Sequence, residues 1–137
     1  MSIDVVKDEQ FGLLSDMDVV GARQAVREWA KEIGLSVLDL TKVVTAASEL
    51  ARNTVVYGGG GSMSLEIVHD GGRKGLRVTF ADRGPGIPDV ERAMEDGFST
   101  GGSLGMGLPG AKRLVDEFAL TSSPECGTSV TILRWKP

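Results

Sequence analysis

The chain has 137 residues, 41% of them hydrophobic and 25% charged, which suits one packed core without disulfide or metal staples and excludes wholesale disorder. A formal net charge of -4 argues against a protein that holds nucleic acid by general electrostatics. Asp4, Lys7, Asp8 and Glu9 stand where a signal peptide would be apolar, and no apolar run could span a bilayer, so the expected location is the cytoplasm, without a membrane partner.

Two apolar groups, Ile3 to Val6 and Phe11 to Leu14, flank the charged Lys7-Asp8-Glu9, and the second at least predicts an edge strand. Ser15 with Asp18 three residues later fits a capping-box variant. The helix it opens carries Val19, Ala22, Val26, Trp29, Ala30 and Ile33 at helical spacing and stops at Gly34. A second helix starts near Ser36, again with an acid, Asp39, three residues on. Its residues Val43 to Thr54 of the apolar set fill an arc of roughly 120°. Glu49 and Asn53, spaced i,i+4 and so only about 40° apart, lie on the shoulder of that arc, where they can converge on one ligand.

Gly58 to Gly61 end this helix. Met63, Leu65 and Ile67 alternate, as do Leu76, Val78 and Phe80, around the turn Asp70-Gly71-Gly72, which predicts an antiparallel hairpin. The parity puts Asp82 on the apolar face of its strand, and a carboxylate there needs a partner. A short helix is expected from Pro88 to Met94, then mobile cover from Glu95 to Ser103. A third helix should follow Gly107, with Leu108, Ala111, Leu114, Val115 and Phe118 inward and Lys112, Arg113, Asp116 and Glu117 mostly outward. Ala119 to Ser123 and Thr128 to Trp135 close the chain as two strands about the turn Pro124 to Gly127. The order predicts an α+β fold, a two-layer sandwich whose mostly antiparallel sheet is covered on one face by helices. Cys126 and His69 are each the only residue of their kind, so no disulfide, cysteine metal cluster, histidine triad or zinc site is available, and both read as incidental.

The region from Asp82 to Leu108 concentrates the chemistry. Gly84 and Gly86 imply a tight turn, and Gly101, Gly102, Gly105 and Gly107 a flexible loop leading into a helix with Pro109 near its first position. The free N–H groups of such a helix start suit phosphate.

The segments Glu49 to Asn53 (ELARN), Asp82 to Gly86 (DRGPG) and Gly105 to Leu108 (GMGL), in that order and spacing, resemble the N, G1 and G2 boxes of the GHKL ATPase and kinase superfamily. Within it the phrases SELARN (Ser48 to Asn53), EDGFST (Glu95 to Thr100) and GLPGAKRLVDEF (Gly107 to Phe118) resemble bacterial serine/threonine kinases of the anti-sigma type, and most of all the RsbT-type switch kinases of the stressosome. The resemblance covers nearly the whole chain except Met1 to Lys7.

The resemblance implies a Bergerat-type pocket in a single ATP-binding kinase domain over residues 1–137. Asp82 would accept the adenine amino group, with Thr128 supporting that contact. Asn53 would hold Mg²⁺, and Glu49 would orient or deprotonate the attacking hydroxyl. Gly105 and Gly107 would offer backbone N–H groups to the phosphates, and Gly84, Gly86, Met106 and Leu108 would belong to the same nucleotide-binding set. Gly101 and Gly102 would be hinges of a lid from Pro88 to Ser103. Arg23 aligns with a position that contacts the protein substrate in related kinases.

The implied function is an ATP- and Mg²⁺-dependent serine/threonine kinase. It would phosphorylate a STAS-domain antagonist or scaffold and switch on an output enzyme such as a PP2C-type phosphatase. An anti-sigma factor kinase that sequesters a sigma factor, and a non-catalytic nucleotide-binding adaptor, are the alternatives. A sensor histidine kinase would need a phosphoacceptor helix, and His69 lies in the hairpin; a Rossmann-type site would want its glycine turn after the first strand.

Overall fold

The apolar stripes of both long helices and the inward sides of the strands meet in one layer. The computed structural model describes residues 3–94 and 107–137. In chain order these give β1 (Asp4–Leu13), α1 (Asp16–Glu32), α2 (Val37–Val56), β2 (Gly61–Asp70), β3 (Arg73–Asp82), the single turn α3 (Val90–Ala93), α4 (Leu108–Arg113), β4 (Glu117–Ser123) and β5 (Gly127–Trp135). The five strands form one sheet in the order β1-β2-β3-β5-β4, and every pair is antiparallel.

The core lies between the sheet and the helices. Met63, Leu65, Leu76, Val78, Phe80 and Ile132 supply its sheet side; Val26, Val43 and Leu50 supply its helix side. Burying such side chains contributes about 1.5–3 kcal/mol each, which is what holds α1 and α2 on the sheet. The opposite sheet face carries only a small apolar cluster of Val68, Leu133 and Trp135, with Arg73 stacked 4.0 Å over the Trp135 ring.

Two expectations change. β1 is one continuous edge strand from Asp4, with a register shift between Val5 and Lys7, so the charged group belongs to the strand. Lys7 fits there because its stem covers Trp29, with Nζ 4.3 Å from the ring centre, while its charge meets Glu32 at 2.8 Å. The third helix stops at Arg113, capped by Leu114, instead of running to Phe118. Asp116 donates its N–H to the Leu133 carbonyl, and this pairing draws the chain into β4 from Glu117, leaving Asp116 and Glu117 off the helix. The cover expected from Glu95 to Ser103 lies outside the described residues.

The helix starts behave largely as the capping pattern predicts. Ser15 and Ser36 accept the N–H of Asp18 and Asp39 respectively. The acids do not close the usual box, however: Asp18 accepts from Leu14 N–H, and Asp39 pairs with Arg134 of β5. Arg134 also donates to the Leu114 carbonyl at 3.4 Å, tying the first turn of α2 to the end of α4.

The hydrogen bond from Arg134 is the main reason the Asp39 carboxyl is held below the ordinary value of 3.8, with burial opposing it. A group whose folded pKa is depressed stabilises the fold above its unfolded pKa and loses that contribution as pH falls through the folded value. Asp39→Asn should therefore lower the urea midpoint at neutral pH, and its deficit against the parent should close as pH drops below about 3.8. A deficit that stays constant down to pH ~2.5 would remove the charge-based account.

Candidate functional site

The site grows from the C-terminal half of α2 and the end of β3. Tyr57 and Gly58 both donate to the Asn53 carbonyl, at 2.9 and 3.1 Å, which ends the helix and turns the chain toward β2. Gly61, at the start of β2, pairs with Asp82, so the end of the helix lies beside that carboxylate. A Cβ on Gly58 would stand 2.4 Å from Asp82 Cγ, so only glycine lets the loop lie there.

Asp82 Oδ1 accepts the Gly84 N–H at 2.9 Å and the Thr128 N–H at 3.2 Å. Both bonds fall on one oxygen, and among the described residues no donor reaches Oδ2. The inward carboxylate therefore has its backbone partners and keeps one acceptor for a ligand. It faces a pocket of ≈ 480 Å³, partly open to solvent. Leu50, Tyr57, Phe80, Ile87, Leu108 and Val130 give it apolar walls, and Asn53, Thr54, Asp82 and Thr128 give it polar points. Apolar walls with a few placed polar groups are what a flat organic ring needs.

Glu49 does not line this pocket. It stands in a second, larger trough of ≈ 1250 Å³ along the outer faces of α1 and α2, with Arg23, Arg27 and Lys31 from α1 and Thr41, Thr45 and Ser48 from α2. Beside Glu49 lies Gly107, the left-handed residue (φ +83) that opens α4, where a Cβ would lie 2.7 Å from Glu49 Oε2; the next residue, Leu108, lines the pocket. One turn of α2 thus sends Asn53 into the pocket and Glu49 into the trough, against the start of α4.

Of the residues expected at a site, Asn53, Asp82, Gly86, Leu108 and Thr128 line the pocket, and Gly84 backs it through its bond to Asp82. Glu49 and Arg23 share the trough. Gly101, Gly102, Gly105 and Met106 lie outside the described residues. Sequence reasoning missed Gly58 and Ser122. The glycine run signalled the first, but nothing local signalled Ser122, which accepts the Ile87 N–H at 2.7 Å and lies 2.9 Å from the Thr128 hydroxyl. Among the described residues no three His, Cys, Asp or Glu side chains gather to hold a metal, and no helix is long and apolar enough to cross a membrane.

The family model of the histidine kinase-like ATPase domain matches residues 14–135. The chain belongs to this family. It is 50% identical, over 123 residues, to the serine/threonine-protein kinase RsbT of Bacillus subtilis, covering 90% of this chain and 92% of that one. Similarity to an anti-sigma F factor of Bacillus licheniformis is 29% over 132 residues, covering 91% and 88% of the two chains. Among solved structures, a Mycobacterium tuberculosis protein with RsbU and RsbW domains superposes with a TM-score of 0.67 at 23% identity, over 96% of this chain and 34% of that longer one. A chain of the SiaB–SiaC complex from Pseudomonas aeruginosa superposes with a TM-score of 0.55 at 14% identity, over 96% of this chain and 90% of that one. These two likenesses show the shared α+β fold, with its antiparallel sheet and one helical layer.

Proposed function

We propose that this chain is an ATP- and Mg²⁺-dependent serine/threonine protein kinase, a single ATP-binding domain acting in the cytoplasm. Its substrates would be STAS-domain antagonist or scaffold proteins of a stressosome-like complex, and through partner switching it would activate an output enzyme such as a PP2C-type phosphatase. The observation that carries the reading is the place of Glu49, in an open trough and against the start of α4, whose first residue Leu108 lines the pocket that holds Asp82 and Asn53. The likeness to RsbT supports the reaction class.

In this reading Asp82 Oδ2 accepts the exocyclic amino group of adenine, and the apolar walls hold the ring. Gly105 and Gly107 would offer backbone N–H groups to the phosphates, Met106 would belong to the same nucleotide-binding set, and Gly101 and Gly102 would act as hinges of the lid. Glu49 takes the proton of the incoming serine or threonine hydroxyl as its oxygen attacks the γ-phosphorus and the bond to the β-phosphate oxygen breaks. Asn53 suits Mg²⁺: its amide oxygen is a hard ligand, and without a carboxylate cage among the described residues the ion would keep waters and phosphate oxygens as its other ligands. When bound, the ion neutralises phosphate charge as the phosphoryl group transfers.

Arg23, Arg27 and Lys31 repeat at i,i+4 along α1 on the trough side, so an acidic surface of the substrate would dock beside Glu49. The test is transfer of labelled γ-phosphate from ATP to a serine or threonine of a STAS-domain partner. Arg23→Glu should raise KM for that protein about tenfold or more while KM for ATP holds, since removed substrate contacts act on binding alone. Equal effects on both substrates would remove Arg23 from docking.

The anti-sigma reading is favoured by the similarity to anti-sigma F factors. Capture of a sigma factor, with no phosphatase bound, would replace the proposal by that one. ATP binding without transfer to any partner would point to the adaptor.

A further inference from the structure

Ser122 stands on β4 directly across from Thr128 on β5. Its Oγ accepts the Ile87 N–H at 2.7 Å and lies 2.9 Å from Thr128 Oγ1. Ile87 follows Gly86, whose φ is +78 and whose added Cβ would meet the Ser123 carbonyl at 2.6 Å and Ser122 Oγ at 3.2 Å. The turn after Asp82 is therefore pressed onto the end of β4, with the Ser122 hydroxyl as its polar anchor.

A hydroxyl has one proton to give and two lone pairs to receive. Were Thr128 to donate to Ser122, Ser122 would accept twice, and its own proton would find no acceptor among the described residues. With Ser122 as donor, its proton is used, its lone pair holds Ile87, and the proton of Thr128 is left for the pocket that Thr128 lines. In that arrangement the polarity of the Thr128 hydroxyl is set from the next strand.

We propose that Ser122 is a positioning residue for base recognition: it fixes Thr128 as a hydrogen-bond donor beside the Asp82 acceptor. An acceptor next to a donor complements the edge of a 6-aminopurine, which offers an amino donor and a ring-nitrogen acceptor. It opposes a 6-oxopurine, whose carbonyl accepts and whose ring N–H donates. The inference rests on the pocket being a nucleotide site, and it adds a discriminating element that touches no ligand itself.

The experiment compares equilibrium binding of ATP and inosine triphosphate, with Mg²⁺, to the full chain and its variants. The parent should prefer ATP. Ser122→Ala should weaken ATP about fivefold or more with little change for inosine triphosphate, so the preference narrows. The unfolding midpoint without nucleotide should fall modestly, since the Ile87 N–H loses its acceptor, and that fall acts on both nucleotides alike. Ser122→Thr, which keeps the hydroxyl, should restore the preference. Thr128→Val should narrow it to the same degree, and adding Ser122→Ala to it should narrow it no further, since both act through one hydrogen bond.

An unchanged preference in Ser122→Ala overturns the assignment, whether both affinities hold or both fall together as from a collapsed turn. If that variant does not fold, Ser122→Cys, whose S–H is a weak donor to Thr128, takes its place under the same criteria. A parent that binds ATP without preferring it overturns the assignment alone; a parent that binds neither nucleotide overturns the ATP-site reading beneath it as well.

Discussion

Glu49→Gln is expected to bind ATP as the parent does and to phosphorylate its protein substrate about 10²–10⁴-fold more slowly, the range general-base catalysis contributes. The amide copies the shape of the carboxylate, so its fit against Gly107 at the start of α4 is kept. It cannot take a proton from the attacking hydroxyl. Because Glu49 lines the trough and not the pocket proposed for the nucleotide, the change should leave ATP affinity alone and appear in kcat. Single-turnover transfer to a STAS-domain partner, paired with calorimetric ATP binding, separates the two quantities. Glu49→Asp, which keeps the charge but withdraws it by one methylene, should fall between parent and Gln. A Gln variant within about twofold of the parent rate would remove Glu49 as the base and leave the chemistry to positioning and charge.

That division of labour along α2 was only half legible in the sequence. The i,i+4 spacing put Glu49 and Asn53 on one shoulder of the helix and suggested a common ligand. The structure places Asn53 in the pocket and Glu49 in the trough, against Gly107, a neighbour distant in sequence. The inward Asp82 was legible because strand parity is local and strict, and β2 pairs with β3 in the register the hairpin turn predicts.

The end of α4 was not legible. Leu114, Val115 and Phe118 satisfy helical spacing, yet Phe118 and Leu120 also fit strand alternation, and a pairing to Leu133, nineteen positions beyond Leu114 in the chain, decides between them. Nor was β1, whose charged stretch reads as a break until Trp29 and Glu32 of α1 are seen to receive Lys7. Ser122 falls in the same class: a serine on an edge strand says nothing until the β4–β5 register sets it across from Thr128. What is local in the chain was readable, and what depends on a cross-strand or helix-to-strand neighbour was not.

Asp82→Asn should leave the fold nearly intact and weaken ATP binding about 10- to 100-fold, the cost of losing a hydrogen bond to a charged acceptor and facing a donor with a donor. The backbone role of the carboxylate and the proposed base-reading role fall on different oxygens. Oδ1 accepts from Gly84 and Thr128, and the oxygen of an asparagine can do the same. The amide nitrogen then replaces Oδ2 and points a donor at the amino group of adenine. The unfolding midpoint without nucleotide should therefore stay close to the parent's while ATP affinity falls. Inosine triphosphate, with a carbonyl in place of that amino group, should lose far less and can gain. A variant that weakens both nucleotides alike would mean that Asp82 shapes the turn without reading the base. In that case specificity would have to come from the apolar walls, which stack any purine and cannot tell one from another by hydrogen bonding.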